Sequence, residues 1–385
     1  PTAHSAILAR TRGIPMVVAA GPGVLAEPEG TMVALDGGTG ELAFDPDPDT
    51  LDRYRVRAEA RRRGETAARA NAGRPARTRD GVLVEVAANV GSLADARLAK
   101  SSGADAAGLV RTEFLFLDRA EAPDVEEQEA AYRGLADALS GRRLTLRTLD
   151  VGGDKPLSYL PSAHEANPFL GLRGIRMSLS REEMLRDQLI AVCRVAADAP
   201  VSLMFPMVST VNELVAALGV LDDALAHTGG PRPAGLQVGI MVEVPAAALK
   251  AEAFVPYVDF FSIGTNDLTQ YTLAAERGND TVARLADPLD PAVLRLIDVV
   301  SQSASGRVDV GVCGEVASDE SAVPLLLGLG VRKLSVVPTA IPMVKQAVRQ
   351  VDVAAAAKLA RKALTASSAE EVRALVTSAT GHGPA

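Results

Sequence analysis

The sequence contains no tryptophan, two cysteines and four histidines in 385 residues, and aromatic residues make up 3%. Cys193 and Cys313 cannot build a disulfide framework or a cysteine-based zinc centre. So few thiols fit a reducing compartment. With few rings available, alanine, valine and leucine must supply the core. No apolar run approaches the ~20 residues of a membrane-spanning helix, and no stretch at the start reads as a secretory leader. Basic charge is not in excess: Lys plus Arg is 40 against 48 for Asp plus Glu, a net −8. That balance argues against a general nucleic-acid binder.

What is present is ordinary for a globular chain, 48% apolar and 23% charged, and ample for a large core. The length suits a barrel of ~250 residues plus a smaller unit. The first residue is Pro1, within ordinary sequence, so the chain is expected to begin inside a longer protein. Residues 1–45 are compact and Gly-rich. Ser5–Arg12 reads as a short helix, and Met16–Ala20, Met32–Asp36 and Glu41–Phe44 read as strands. This stretch alone is too small for a secure core. Asp45-Pro-Asp-Pro-Asp-Thr50 is punctuation, with Asp49 or Thr50 as helix cap. A charged helix over Leu51–Asn71 and a loop over Ala72–Asp80 read as a connector; a solvated surface helix of one domain is the other reading.

From residue 81 a rhythm begins. Buried-strand patterns recur at Leu83–Asn89, Ala107–Glu113, Leu144–Asp150, Val201–Met207, Val238–Val244, Asp259–Asn266, Val308–Cys313 and Lys333–Val337, separated by amphipathic helical stretches. Alternating strand and helix predicts a parallel sheet, and this many units predict a (β/α)8 barrel, with an open doubly wound sheet as the alternative. The tail, Val353–Thr380, reads as two Ala-rich helices, with Ser368 and Glu371 at capping-box spacing.

The strand ends carry the chemistry. They supply Arg111 with Glu113, Arg147 with Asp150, Glu243, then Asn266-Asp267 with Arg277 soon after, and Cys313 with Glu315. In a barrel these ends converge on one pocket. Clustered arginines repel unless an anion joins them, and their forks match phosphate and carboxylate. Glu243 and Asp267 offer hard oxygens suited to Mg²⁺, which takes few protein carboxylates and completes its shell from substrate and water. The set suits a small substrate bearing phosphate and carboxylate. Any one such arginine is often only an ion pair; the agreement of five strand ends gives the reading its force. Position alone leaves Cys313 open between a buried hydrophobe and a chemical role. A lone histidine such as His4 is more often a surface or capping residue, although a neutral imidazole at a helix start could serve as a nucleophile.

These residues lie in stretches that resemble enzyme I of the bacterial sugar phosphotransferase system. The matching stretches are Gly108-Leu-Val-Arg-Thr-Glu-Phe-Leu-Phe-Leu-Asp-Arg119, Arg147-Thr-Leu-Asp-Val-Gly-Gly-Asp-Lys155, Asn167-Pro-Phe-Leu-Gly-Leu-Arg173, Met204-Phe-Pro-Met207, Gly239-Ile-Met-Val-Glu-Val-Pro245, Phe260-Phe-Ser-Ile-Gly-Thr-Asn-Asp-Leu-Thr-Gln-Tyr271 and Cys313-Gly-Glu315. The start, Thr2-Ala-His4, resembles the phosphohistidine loop, although the usual Thr-Ser-His is varied, the two glycines expected before it are absent, and Ala166 replaces a common acidic residue.

The resemblance implies an α/β fold: a C-terminal (β/α)8 TIM barrel over 81–385, preceded by a partial phosphohistidine (swivelling β/α) domain over 1–45 and a linker helix over 46–80. It implies that His4 takes the phosphoryl group from phosphoenolpyruvate, that Arg111, Arg147, Arg277 and Arg173 with Asn266 and Asp267 hold the substrate, that Glu243 and Asp267 hold Mg²⁺, and that Cys313 protonates the enolate to give pyruvate. It also implies a cytoplasmic homodimer formed through the barrel, with the phosphocarrier HPr as the next acceptor and the carrier-binding region outside this chain. Neither nucleic acid nor membrane insertion is expected. Two alternatives remain: an enzyme of the phosphoenolpyruvate synthase or pyruvate phosphate dikinase type, and a phosphoenolpyruvate-binding regulatory module without turnover.

Overall fold

The computed structural model describes residues 14–18, 20–37, 40–152, 157–159, 165–276, 279 and 281–380. The readings for His4, Arg277 and the Ser5–Arg12 helix lie outside them.

Near the start, β1 (Val33–Asp36) and β2 (Glu41–Phe44) pair antiparallel, with Asp36 opposite Glu41. Met16–Val18 and Ala20 form no strand, a correction to the sequence reading; the antiparallel pair contains β1 and β2 alone. A charged helix follows, Pro48–Ala70. It starts earlier than expected because Asp47 is the cap, its Oδ1 accepting from the Thr50 amide at 2.8 Å. Pro48 then occupies a first-turn position where no amide is needed.

The expected loop before residue 80 instead contains β3 (Ala76–Arg77), antiparallel to the start of β4 (Leu83–Val90). From β4 the chain winds through β5 (Ala107–Arg111), β6 (Leu144–Arg147), β7 (Val201–Phe205), β8 (Gln237–Val242), β9 (Phe260–Ile263), β10 (Asp309–Val312) and β11 (Lys333–Val336). Each of these neighbours is parallel, and β11 pairs back onto β4, closing the barrel.

Alternation along each strand sorts the side chains. Leu144 and Leu146, Val238 and Ile240, and Leu334 and Val336 join the main apolar core between strands and helices. Their alternating neighbours face the lumen. There Leu109, Met204, Met241, Phe260 and Cys313 form a separate apolar cluster across the barrel's middle.

Seven of the eight barrel strands end sooner than the sequence patterns suggest, and at three of them the segment that takes over carries site residues. A 3₁₀ turn, Thr112–Leu115, takes over from β5, β6 stops at Arg147, and the helix Thr265–Leu273 begins directly after β9. Arg111 and Arg147 are thus the last ladder residues of β5 and β6, while Glu113 stands on a turn and Asn266 and Asp267 on a helix start.

The last described helices are Val353–Ala363 and Ala369–Thr380. Ser368 caps the second, but the Glu371 carboxylate reaches back to Ser367 rather than Ser368. One buried cation ties the connector to the barrel. Lys345 is 0% exposed. Its Nζ donates to the carbonyls of Ala72 at 3.0 Å and Gly103 at 2.7 Å, and pairs with Asp105 at 2.6 Å.

Candidate active site at the carboxyl ends of the strands

The lumen-facing residues of β6 run Arg143, Thr145, Arg147, and only the last reaches the carboxyl end. Arg147 there donates through Nη2 to Glu113 Oε1 at 2.9 Å and pairs through Nη1 with Asp150 Oδ2 at 3.0 Å. Its buried Nε has no hydrogen-bond partner among the described residues. Asp150 also receives Arg173, whose Nη2 lies 3.1 Å from Oδ2. Arg173 extends through Nη1 to Asp267 Oδ1 and to the Tyr271 hydroxyl, both at 3.1 Å. Tyr271 in turn donates to the Phe169 carbonyl at 2.6 Å, holding the Asn167–Leu170 segment against the site. One chain of charges thus joins β5, β6, the insert after β6 and the helix after β9.

Glu243 follows β8 and is 1% exposed. Its Oε1 accepts the Met207 amide at 2.7 Å. Met207 has a left-handed backbone (φ 58), and Gly174 beside it is also left-handed (φ 57), where a Cβ would come within 2.7 Å of the Met207 side chain. Burial, then Asp267 and Asp150, push the Glu243 pKa well above the ordinary carboxylate range. The charge arithmetic explains this. Asp267 and Asp150 already place negative charge beside Glu243, and Arg147 offsets it only in part, so ionising Glu243 adds like charge to a buried cluster. A divalent cation would offset that charge, and Glu243 with Asp267 could hold one. Among the described residues no three His, Cys, Asp or Glu side chains form a metal cage.

Asn266 and Asp267 stand in the first turn of the helix Thr265–Leu273, where the amide dipoles favour negative charge. The Asn266 Oδ1 accepts the Glu315 amide at 2.9 Å, fixing the end of β9 to the end of β10. Cys313, 4% exposed, donates weakly to the Ile263 carbonyl at 3.6 Å. Burial pushes its pKa up to about 11, so near neutral pH it is a thiol able to give a proton rather than a thiolate. Arg111 ends β5 and is exposed, close enough for its charge to act on Cys313.

The structure therefore brings Arg111, Arg147, Arg173, Glu243, Asn266, Asp267 and Cys313 to one end of the barrel. Sequence reasoning passed over Tyr271 and Gln188. Gln188 is 2% exposed in the otherwise apolar run Gln188-Leu-Ile-Ala-Val192. Its Oε1 accepts the Leu149 amide at 3.0 Å, and its Nε2 donates to Thr112 Oγ1 and Tyr132 OH, both at 3.1 Å. A lone amide within such a run was the available signal.

Comparison with known families decides the affiliation. Residues 65–353 match the PEP-binding domain of PEP-utilising enzymes. The chain belongs to this family. Residues 1–40 match the mobile domain of PEP-utilising enzymes. A phosphoenolpyruvate-protein phosphotransferase from Haloferax volcanii is 44% identical over 383 residues, covering 98% of this chain and 66% of its own length. The protein of that name from Bacillus subtilis is 40% identical over 381 residues, with 97% and 66% covered. A multiphosphoryl transfer protein from Xanthomonas campestris is 45% identical over 380 residues, with 97% and 45% covered. This PEP-utilising chain thus spans just under two thirds of the phosphotransferases and under half of the larger protein. Among its described residues no helix is long and apolar enough to cross a membrane.

Proposed function

We propose that the barrel binds phosphoenolpyruvate at the carboxyl ends of its strands and transfers the phosphoryl group to His4, releasing pyruvate, as a phosphoenolpyruvate–protein phosphotransferase. The observation that carries this reading is the buried set of Arg147, Arg173, Asp150, Asp267 and Glu243, gathered at one end of a barrel that belongs to the PEP-utilising family.

Arg147 and Arg173 present guanidinium forks already oriented by carboxylates, so they bind an anion with little reorganisation. Arg111 adds positive charge at the exposed end of β5, and in this reading Arg277 is a further arginine for the substrate. Asn266 holds the helix start in place through Glu315. Mg²⁺ held by Glu243 and Asp267 would offset charge on the phosphoryl group and the leaving enolate. His4, neutral, accepts the phosphoryl group on its ring nitrogen. Cys313, kept protonated by burial, delivers a proton to the methylene carbon of the enolate.

In this reading residues 1–45 carry the phosphohistidine, 46–80 connect, and 81–385 form the substrate barrel. The phosphoryl group passes on to a carrier of the HPr type in sugar uptake, in the cytoplasm, from a dimer formed through the barrel. Calorimetry of phosphoenolpyruvate with the full chain, with and without Mg²⁺, tests the core of the proposal. Mg²⁺-dependent binding that Arg277→Ala abolishes supports it. Absence of binding in both conditions, or binding indifferent to Arg277, overturns it.

A further inference from the structure

The barrel has a second polar space, at the opposite end of the lumen. Barrel interiors are normally filled by layers of branched apolar side chains. Here lumen positions away from the strand-end cluster carry Gly108, Gly311, Thr145, Ser202 and Ser262, which line a cavity of about 200 Å³, and Gly239 on the same side of β8. The glycines are needed for packing: a Cβ on Gly239 would collide with the Phe260 carbonyl, and one on Gly108 with Ser335. The cavity is separate from the strand-end cluster. Along β8 the lumen side runs Gln237, Gly239, Met241 and then Glu243; Gln237 lines the cavity, while Met241 belongs to the apolar plug that includes Cys313.

The charge of this space is distinctive. Arg143, Arg332 and Lys333 line it with Glu85 and Asp309, three positive against two negative. Lys333 pairs with Glu85 at 2.9 Å. Arg143 donates only to neutral acceptors among the described residues, the Val201 and Gly235 carbonyls at 3.1 and 2.9 Å and Ser202 Oγ at 3.4 Å. Arg332 likewise donates to the Leu327 and Val331 carbonyls, at 2.9 and 2.7 Å, and feels Asp80 only at longer range. Two guanidinium groups therefore flank the cavity with no carboxylate at ion-pair distance among the described residues. Thr145, 1% exposed, lines the same space, and its buried Oγ1 has no partner there. The buried hydroxyls of Thr148, Thr265, Thr269 and Ser301 also lack partners among the described residues; what sets Thr145 apart is that it lines a cavity between two guanidinium groups, where a bound polar group would satisfy it.

We propose that this amino-end cavity is a binding site for a small free oxyanion, held by Arg143 and Arg332 and hydrogen-bonded by Thr145. Its volume is below the roughly 300–1,000 Å³ of sites for drug-sized ligands, so an ion of a few non-hydrogen atoms is the fitting class. The site is distinct from the phosphoenolpyruvate end and does not depend on that reading.

The probe is inorganic phosphate, measured by equilibrium dialysis of the radiolabelled ion against the full chain. The expected result is saturable binding that persists when phosphoenolpyruvate and Mg²⁺ are present in excess. Arg332→Gln should weaken it at least tenfold and Thr145→Val several-fold. The second variant removes an unpartnered hydroxyl at nearly constant volume, so it keeps the fold. Phosphoenolpyruvate binding, followed by calorimetry on the same samples, should stay within twofold in both variants. Phosphate fully displaced by phosphoenolpyruvate, or indifferent to both substitutions, would mean that the cavity holds only water and would overturn the proposal. A chain that binds phosphate in this variant-sensitive manner but not phosphoenolpyruvate would sink the strand-end reading alone.

Discussion

Replacing Gln188 by methionine tests whether the back wall of the strand-end cluster is held by hydrogen bonds or only by packing. Methionine preserves length and volume, so cavity formation is minor. The Leu149 amide loses its acceptor at 3.0 Å inside a buried environment, and an unsatisfied buried amide costs about 1–3 kcal/mol. Thr112 and Tyr132 each lose one bond but keep another, to the Arg147 carbonyl at 2.9 Å and to Gln128 at 3.3 Å. Their losses add roughly 0.5–1 kcal/mol together. The sum is about 1.5–4 kcal/mol, read as a shift in urea midpoint at constant slope. Because Leu149 precedes Asp150, which holds both Arg147 and Arg173, phosphoenolpyruvate affinity should fall several-fold as well. Stability within about 0.5 kcal/mol of wild type, with affinity unchanged, would refute the assignment of this network as the support of the site.

Other expectations follow from the same geometry. Lys345→Met should destabilise by about 3 kcal/mol in urea unfolding, the lower part of the range for breaking a buried pair, because Asp105 keeps some solvent and the Val86 amide. Divalent cation affinity, measured by calorimetry, should rise with pH. The raised Glu243 pKa means that its protonated form is favoured by folding at acid pH and that this contribution is lost as pH rises through the folded value, whereas the cation needs the ionised form; an affinity that stays flat across the whole pH range over which the chain remains folded would contradict this. Gly239→Ala should lower stability by about 1–3 kcal/mol through overpacking against Phe260, read in the same unfolding assay.

The barrel was legible because each strand is a short apolar run, and a run ending in Arg147 or Glu243 announces where polarity begins. The exact ends were not. Asp267 belongs to a helix start rather than a strand: the Leu268 amide already bonds back to the Gly264 carbonyl at 3.0 Å, which hydropathy does not register. Lys345 reads as a solvent-facing residue of an amphipathic helix. Its acceptors, the Ala72 and Gly103 carbonyls and Asp105, come from remote sequence and leave no local pattern. The lumen cavity was hidden for the same reason: Thr145, Gln237 and Arg332 are unremarkable singly and meet only through closure of the sheet. His4 and Arg277 rest on motif alone.

The Lys345 clamp also has a mechanical meaning. It anchors the chain at Ala72, just beyond the end of the Pro48–Ala70 helix, and Arg349 holds the neighbouring Asn71 carbonyl at 3.1 Å. The helix is then a lever with a fixed fulcrum at its carboxyl end. Its 23 residues span about 35 Å, so a tilt of only ~10° at the fulcrum would sweep the far end through about 6 Å. Any tilt of this helix about that anchor would be magnified at its amino end, and a cross-link to the barrel near Ala70 would restrain such a tilt far less than one placed nearer Pro48.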